Sequence, residues 1–318
     1  MGRTSSASKP ARPQKSSSGV KTYLFAYNTL SALGWGYILL KLVFHIAGRD
    51  FPYYSSPSSP SSSSSAHTAL ASFSSILTTV SLRLPSIPFL SPPPSRAAQL
   101  YYNLKLDKLR VPAALQPALV RATTAYGAVG VVTAAVQTCA LLEILHCLLG
   151  WVRSPVATTA AQVSSRLFLV WGVTERYEVA RTTPLYSSMV LAWSLAEIIR
   201  YVFYALSLLP LGSNSTSSTS YVPSWLIYLR YSAFYVLYIV GASSEAFVNF
   251  QTLPRGSPIP SLGGWLGGSA VWTPYDLLRG VLFVIWWPGL YIMYTHMIGQ
   301  RRKALGKGQK LGAKPKSL

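Results

Sequence analysis

The sequence predicts an all-α polytopic membrane protein, a bundle of six transmembrane helices with disordered basic tails. Three observations point there. Half of the 318 residues are hydrophobic and only 11% are charged, against roughly 25% charged in an ordinary soluble domain. Six apolar runs each approach the ~20 residues that carry a helix across a bilayer. The net charge of +20 gathers at the two ends. Arg3, Lys9, Arg12, Lys15 and Lys21 precede the first apolar run, and Arg301, Arg302, Lys303, Lys307, Lys310, Lys314 and Lys316 follow the last. Basic ends that flank hydrophobic spans are the mark of cytosolic tails held near anionic lipid, so membrane lipid and not nucleic acid is the expected partner.

The elements follow in chain order. Residues 1–20 are rich in Ser and Lys and read as a disordered cytosolic tail. The transmembrane domain then occupies 21–300. Its first span, about 22–47, is too long for a signal-peptide core and reads as a signal anchor. Residues 50–100, with SSPSSPSSSSS and SPPPS, read as a flexible insert; the stretch 66–82 within it is apolar but serine-rich and is not counted as a span. Five further spans are placed at about 125–150, 157–175, 185–209, 223–250 and 275–298, separated by turns that carry Pro155, Pro184, Pro210, Pro223 and Pro254. Six crossings put both tails on one side, which the positive-inside rule makes cytosolic. Lys105, Lys108 and Arg110 then fall on the lumenal side against that rule, as a long loop permits. The sequon at Asn214 faces the cytosol in this topology and is expected to be unmodified. The basic tail 301–318 ends in KPKSL, whose Lys314 and Lys316 fit the dilysine pattern of retrieval to the endoplasmic reticulum. Cys139 and Cys147 lie two helical turns apart in one run, too far for a disulfide.

Charge inside the apolar runs is where chemistry is expected. Only eight residues are acidic, yet Glu143, Glu197 and Glu245 lie within hydrophobic segments, as do Arg166, Arg200 and Arg230. A charge in hydrocarbon costs several kcal/mol unless it is paired, hydrated or functional. Glu197 and Arg200, at i and i+3, are expected to form a structural pair within one helix. Tyr238 and Glu245 are different. Seven residues at ~100° each bring both side chains to one face, about 10 Å apart along the axis, with no cation between them in sequence. Gly241 lies midway, where a missing side chain lets a substrate reach the backbone. A proton donor and a carboxylate on one intramembrane face suggest an active site.

Other motifs lead elsewhere and fail on chemistry. HCLLGWVRS (146–154) spells the phosphatase signature, with Cys147 as nucleophile and Arg153 as phosphate clamp. That chemistry needs a loop whose free backbone N–H groups cradle phosphate, whereas this string closes an apolar helical run, where the thiol is also discouraged from ionising. Glu143 and His146 make one E-x-x-H, and a di-iron bundle needs two plus further carboxylates. No metal site and no cofactor are expected. The chain has no P-loop, no dinucleotide-binding glycine motif and no G-x-S-x-G elbow.

Taken together, YLFAYNTLSALGW (23–35), QTCALLEILHCLLGWVRSP (137–155), QVSSRLFLVWG (162–172), AWSLAEIIRYVFY (192–204) and LRYSAFYVLYIVGASSE (229–245) resemble the very-long-chain (3R)-3-hydroxyacyl-CoA dehydratases, or protein tyrosine phosphatase-like membrane proteins. The resemblance implies an endoplasmic-reticulum, multi-pass lyase with cytosolic termini. Its expected reaction removes water from 3-hydroxyacyl-CoA to give trans-2-enoyl-CoA, the third step of fatty-acid elongation, beside the other elongation enzymes and upstream of very-long-chain and sphingolipid synthesis. It places the catalytic Tyr and Glu on Tyr238 and Glu245, and supporting or substrate-binding roles on Glu143, Gln162, Arg166, Arg200, Arg230 and Gly241. Two departures stand out: Ile239 replaces a proline common after the tyrosine, and Arg153 occupies a position where relatives often carry proline.

On this reading Glu245 takes the α-proton and Tyr238 protonates or orients the leaving hydroxyl, with the reverse allocation also open. The arginines either hold the glutamates or bind the thioester and phosphopantetheine end. The axial separation of the pair must be closed by side-chain reach or by a bend near Gly241. The competing class is a non-enzymatic membrane scaffold whose buried charges are structural.

Overall fold

The computed structural model describes residues 18–49, 112–152, 154–209, 222–254 and 272–310, which are helical with no strand among them. The long helices are α1 (Ser18–Ala47), α3 (Ala125–Cys139) with α4 (Leu141–Leu148), α5 (Val156–Leu167), α7 (Pro184–Leu208), α8 (Ser224–Ser232) with α9 (Phe234–Gln251), and α10 (Pro274–Lys310). Short helices α2 (Gln116–Ala122) and α6 (Glu178–Arg181) lie in connections. Five helical stretches are long and apolar enough to cross a membrane: 18–47, 125–148, 184–208, 224–251 and 274–305. The segment predicted as a span at 157–175 is helical, but α5 carries Gln162, Ser164, Ser165 and Arg166 and continues as a π-helix over Phe168–Thr174. Helix also reaches into both predicted tails, at residues 18–20 and 301–310. The rest of the tails, the insert at 50–100, Asn214, Arg153 and the lysines of the KPKSL end lie outside the described residues.

Helix α7 is the hub, flanked by α1 and α9; α3 packs on α1, and α10 on α8 and α9. The helix opens on Thr183, whose hydroxyl accepts from the Leu185 N–H, with Pro184 in the first turn, where its missing N–H is harmless. Tyr186, Val190, Trp193, Glu197 and Tyr201 recur at three- and four-residue spacing and are all buried. All but Glu197 join Trp35, Ile38 and Leu42 of α1 and Val129 of α3 in one core cluster. Lipid tails remove most of the hydrophobic drive between helices, so close packing of small residues and interhelical hydrogen bonds carry association. Here a Cβ on Gly34 would lie 3.2 Å from Val136, and the Ser188 and Ser244 hydroxyls join α7 to α9 at 2.7 Å. Large side chains point outward where lipid would lie, with Val236 and Val284 about two-thirds exposed at 65% and 66%.

Two glycines end helices at positive φ. At Gly48 (φ 70°) the Gly48 and Arg49 N–H groups donate to His45 and Phe44; at Gly150 (φ 69°) the Gly150 and Trp151 N–H groups donate to Cys147 and His146. Both are Schellman caps, which need a left-handed residue. A third glycine is held by contact. The Tyr275 hydroxyl donates to the Gly172 carbonyl at 2.7 Å, and a Cβ on Gly172 would sit 2.7 Å from that same hydroxyl. Gly172→Ala is therefore expected to break the tie between the π-helix and α10 and to destabilise the protein by about 1–3 kcal/mol, read as a lower thermal midpoint in detergent.

The helix ends sort to two ends of the bundle. Tyr23 meets His146, Arg200 meets Glu143, and Arg301 meets Ser232 at one end. His45 meets Thr124, Ser187 meets Ala122, and Asn249 meets Arg279 at the other.

Candidate active site

Four of the intramembrane charges assemble into one chain of contacts across α4, α5 and α7. Arg166 of α5 donates to Glu197 of α7. Arg200, one turn along α7, donates from Nε to the other Glu197 oxygen at 2.6 Å. It also donates from both terminal nitrogens to Glu143 of α4, each at 2.7 Å. Such two-pronged guanidinium–carboxylate pairs are among the strongest hydrogen-bonded contacts. The Tyr201 hydroxyl donates to Glu143 as well, and Tyr27 of α1 approaches the same oxygen at 3.5 Å. The expected Glu197–Arg200 pair is present within its helix, but as the middle of a network that ties three helices together.

Two arginines and two carboxylates in this chain balance. Glu245 is left over. It is half-buried on α9 and belongs to no ion pair among the described residues. Its Oε1 accepts from the buried indole N–H of Trp193 at 2.5 Å. Arg166 and Tyr238 both lie within electrostatic reach of it. No cation lies between Tyr238 and Glu245 in sequence, but Arg166 arrives from another helix, which sequence distance along α9 does not reveal. Trp193 was absent from the sequence-derived site. As one of nine tryptophans in the chain, it carried no signal until its neighbour across the helix interface was known.

Other predicted site residues fall in different places. Gly241 is buried, and a Cβ there would touch Ala192 of α7 at 3.4 Å. It lies where α7 and α9 approach each other. Helix α9 runs continuously from Phe234 to Gln251, and the break in this segment falls at Ala233 between α8 and α9. Arg230, on α8, lies over the Tyr204 ring at 5.8 Å and joins no ion pair among the described residues. Gln162 is exposed one turn before Arg166 on α5.

Among the described residues the phosphatase-like string forms no phosphate cradle. His146 and Cys147 form the last turn of α4, and Gly150 is the residue of its Schellman cap. A helix C-terminus presents carbonyls and partial negative charge, which repel an anion. Cys147 is buried, and its thiol donates to the Thr159 hydroxyl at 3.5 Å. His146 is hydrogen-bonded to the Tyr23 hydroxyl at 3.0 Å and stacks on Trp151.

Similarity to known proteins covers this same part of the chain. The family described as "Protein tyrosine phosphatase-like protein, PTPLA" matches residues 137–307. The "Very-long-chain (3R)-3-hydroxyacyl-CoA dehydratase hpo-8" of Caenorhabditis elegans is 32% identical over 302 residues, covering 92% of this chain and 98% of that protein. A "Probable very-long-chain (3R)-3-hydroxyacyl-CoA dehydratase" of Schizosaccharomyces pombe is 41% identical over 169 residues, 53% of this chain and 71% of that one. "Very-long-chain (3R)-3-hydroxyacyl-CoA dehydratase 2" of Homo sapiens is 38% identical over 173 residues, 53% of this chain and 63% of that one. No solved structure matches.

Proposed function

The chain belongs to the protein tyrosine phosphatase-like (PTPLA) family, and from that premise we infer that it is a hydro-lyase of fatty-acid elongation. It dehydrates very-long-chain 3-hydroxyacyl-CoA to the 2-enoyl-CoA. The reaction removes a proton from C2 and the hydroxyl from C3, so it needs one proton acceptor and one donor. Tyr238 and Glu245 fill those roles.

The observation that carries this assignment is the leftover carboxylate. Glu143 and Glu197 are saturated by guanidinium and phenol donors, so neither is free to take a proton. Glu245 accepts one hydrogen bond among the described residues, at Oε1 from the Trp193 N–H, which leaves Oε2 for the substrate proton. An ordinary carboxylate is ionised at neutral pH and an ordinary phenol is protonated, which favours Glu245 as base and Tyr238 as acid. As the C2 proton passes to Glu245 Oε2, charge builds on the thioester oxygen. Tyr238 then delivers its proton to the departing hydroxyl, which leaves as water. The proton taken from C2 must return from Glu245 to the phenolate before the next cycle. Arg166, within reach of both groups, offsets the negative charge they share.

The topology proposed with this site has six crossings, counting Val156–Thr174 as the third, with both termini on the cytosolic side of the endoplasmic-reticulum membrane. The sorting of helix ends into two groups supports an even number of crossings. The enzymes that supply the 3-hydroxyacyl-CoA and consume the enoyl-CoA are the proposed neighbours.

The test is conversion of a long-chain 3-hydroxyacyl-CoA by the purified full-length protein, with Cys147→Ser alongside. Both proteins are expected to form enoyl-CoA at rates within about 2-fold of each other, because a thiol turned to Thr159 takes no part in this chemistry. Loss of turnover in a folded Cys147→Ser protein would move the site to α4.

A further inference from the structure

Trp193 is placed unlike the other aromatic residues of the core. Its side chain is 2% exposed and has three neighbours with distinct consequences. The edge carrying Nε1 donates to Glu245 Oε1 at 2.5 Å. The Arg166 guanidinium carbon lies 5.3 Å from its ring centroid, and Trp35 of α1 meets it at 84° with centroids 6.5 Å apart. A cation over an indole face is attracted by the ring electrons and draws them away from the N–H, making it a better donor. The ring therefore lies between the balanced charge network and the Glu245 carboxylate.

We propose that Trp193 is the positioning residue of this site: its indole N–H occupies one oxygen of Glu245, so that the other is the single oxygen presented to the C2 proton. The inference rests on the reading of Glu245 as proton acceptor. A glutamate carboxylate, with three side-chain torsions, swings freely when nothing holds it, and a misplaced base loses rate steeply. Trp193 removes that freedom from α7, one helix away from the side chain it holds, and adds no titratable group that would compete for the substrate proton. It also gives Arg166 a route to the base: the guanidinium fixes the ring, and the ring fixes the carboxylate.

The experiment compares steady-state kinetics of the full-length chain with Trp193→Phe, Trp35→Phe and Glu245→Gln, all checked for thermal midpoint. Trp193→Phe retains an aromatic ring and loses the N–H; kcat is expected to fall about 10- to 100-fold, as for loss of a hydrogen bond to a charged group, with KM within about 3-fold. Trp35→Phe thins the same aromatic pair without touching a carboxylate and should keep its kcat. Trp193→Leu gives the same comparison if the phenylalanine variant does not fold. An unchanged kcat in Trp193→Phe, an equal loss in Trp35→Phe, or a rise in KM alone would each overturn the positioning role while leaving Glu245 in place. Full turnover by Glu245→Gln would instead overturn the reading beneath it.

Discussion

Glu245→Gln and Tyr238→Phe are each expected to slow conversion of 3-hydroxyacyl-CoA about 10²–10⁴-fold, the range typical of losing one positioned acid or base. Glutamine keeps the size of the side chain and its acceptor oxygen for the Trp193 N–H, and loses only the ability to take a proton. Phenylalanine keeps the ring of Tyr238 and loses only the hydroxyl. Neither group belongs to an ion pair among the described residues, so neither change strands a buried charge, and thermal midpoints should stay close to that of the unaltered protein. The same variants should lose hydration of the enoyl-CoA by the same factor, because the reverse reaction runs through the same acid and base. Single-turnover measurement in both directions checks this. A well-folded variant that runs at the unaltered rate in either direction removes that residue from the chemistry.

The sequence made this pair visible for a physical reason. A carboxylate in an apolar run is rare because it is costly, and a seven-residue interval fixes the shared helix face without knowledge of any other helix. The helices were legible on the same basis, from apolar length and from the prolines between runs. What could not be read was anything depending on contact between runs. Arg166 meets Glu197, and Trp193 meets Glu245, across helices separated by about thirty and fifty residues of chain. The breaks at Ala140 and Ala233 carry neither proline nor glycine at the break itself, so no local signal marks them. Gly241 was visible as a missing side chain, but whether that space serves a substrate or a neighbouring helix depends on Ala192, which sequence does not place. The phosphatase-like string shows the converse. Its spelling was complete, but its glycine is spent on a helix cap, and the backbone N–H groups around the cysteine are not free for phosphate.

Arg200→Gln is expected to produce the largest loss of stability, about 3–5 kcal/mol, the cost of leaving a buried partner charge uncompensated. Its guanidinium holds Glu143 with two bonds and Glu197 with one. Without it Glu197 still has Arg166, whereas Glu143 keeps only the Tyr201 and Tyr27 hydroxyls. The stranded charge is therefore that of Glu143, and neutralising it should restore much of what was lost. Arg200→Gln with Glu143→Gln is expected to melt at a higher temperature than Arg200→Gln alone. A double variant no more stable than the single would mean that Arg200 acts by packing and not by charge. Activity should not follow stability in this pair. The network joins α4, α5 and α7 through Arg200, Glu197 and Arg166, and Arg166 in turn lies against the ring that holds Glu245. Restoring charge balance returns the fold without returning the guanidinium that anchors Glu197 opposite Arg166. Turnover of the double variant should thus remain below that of the unaltered enzyme at equal thermal midpoint. The buried ion pairs then serve the placement of the base more than the stability of the bundle, which is what an apolar replacement of the same volume would supply at least as well.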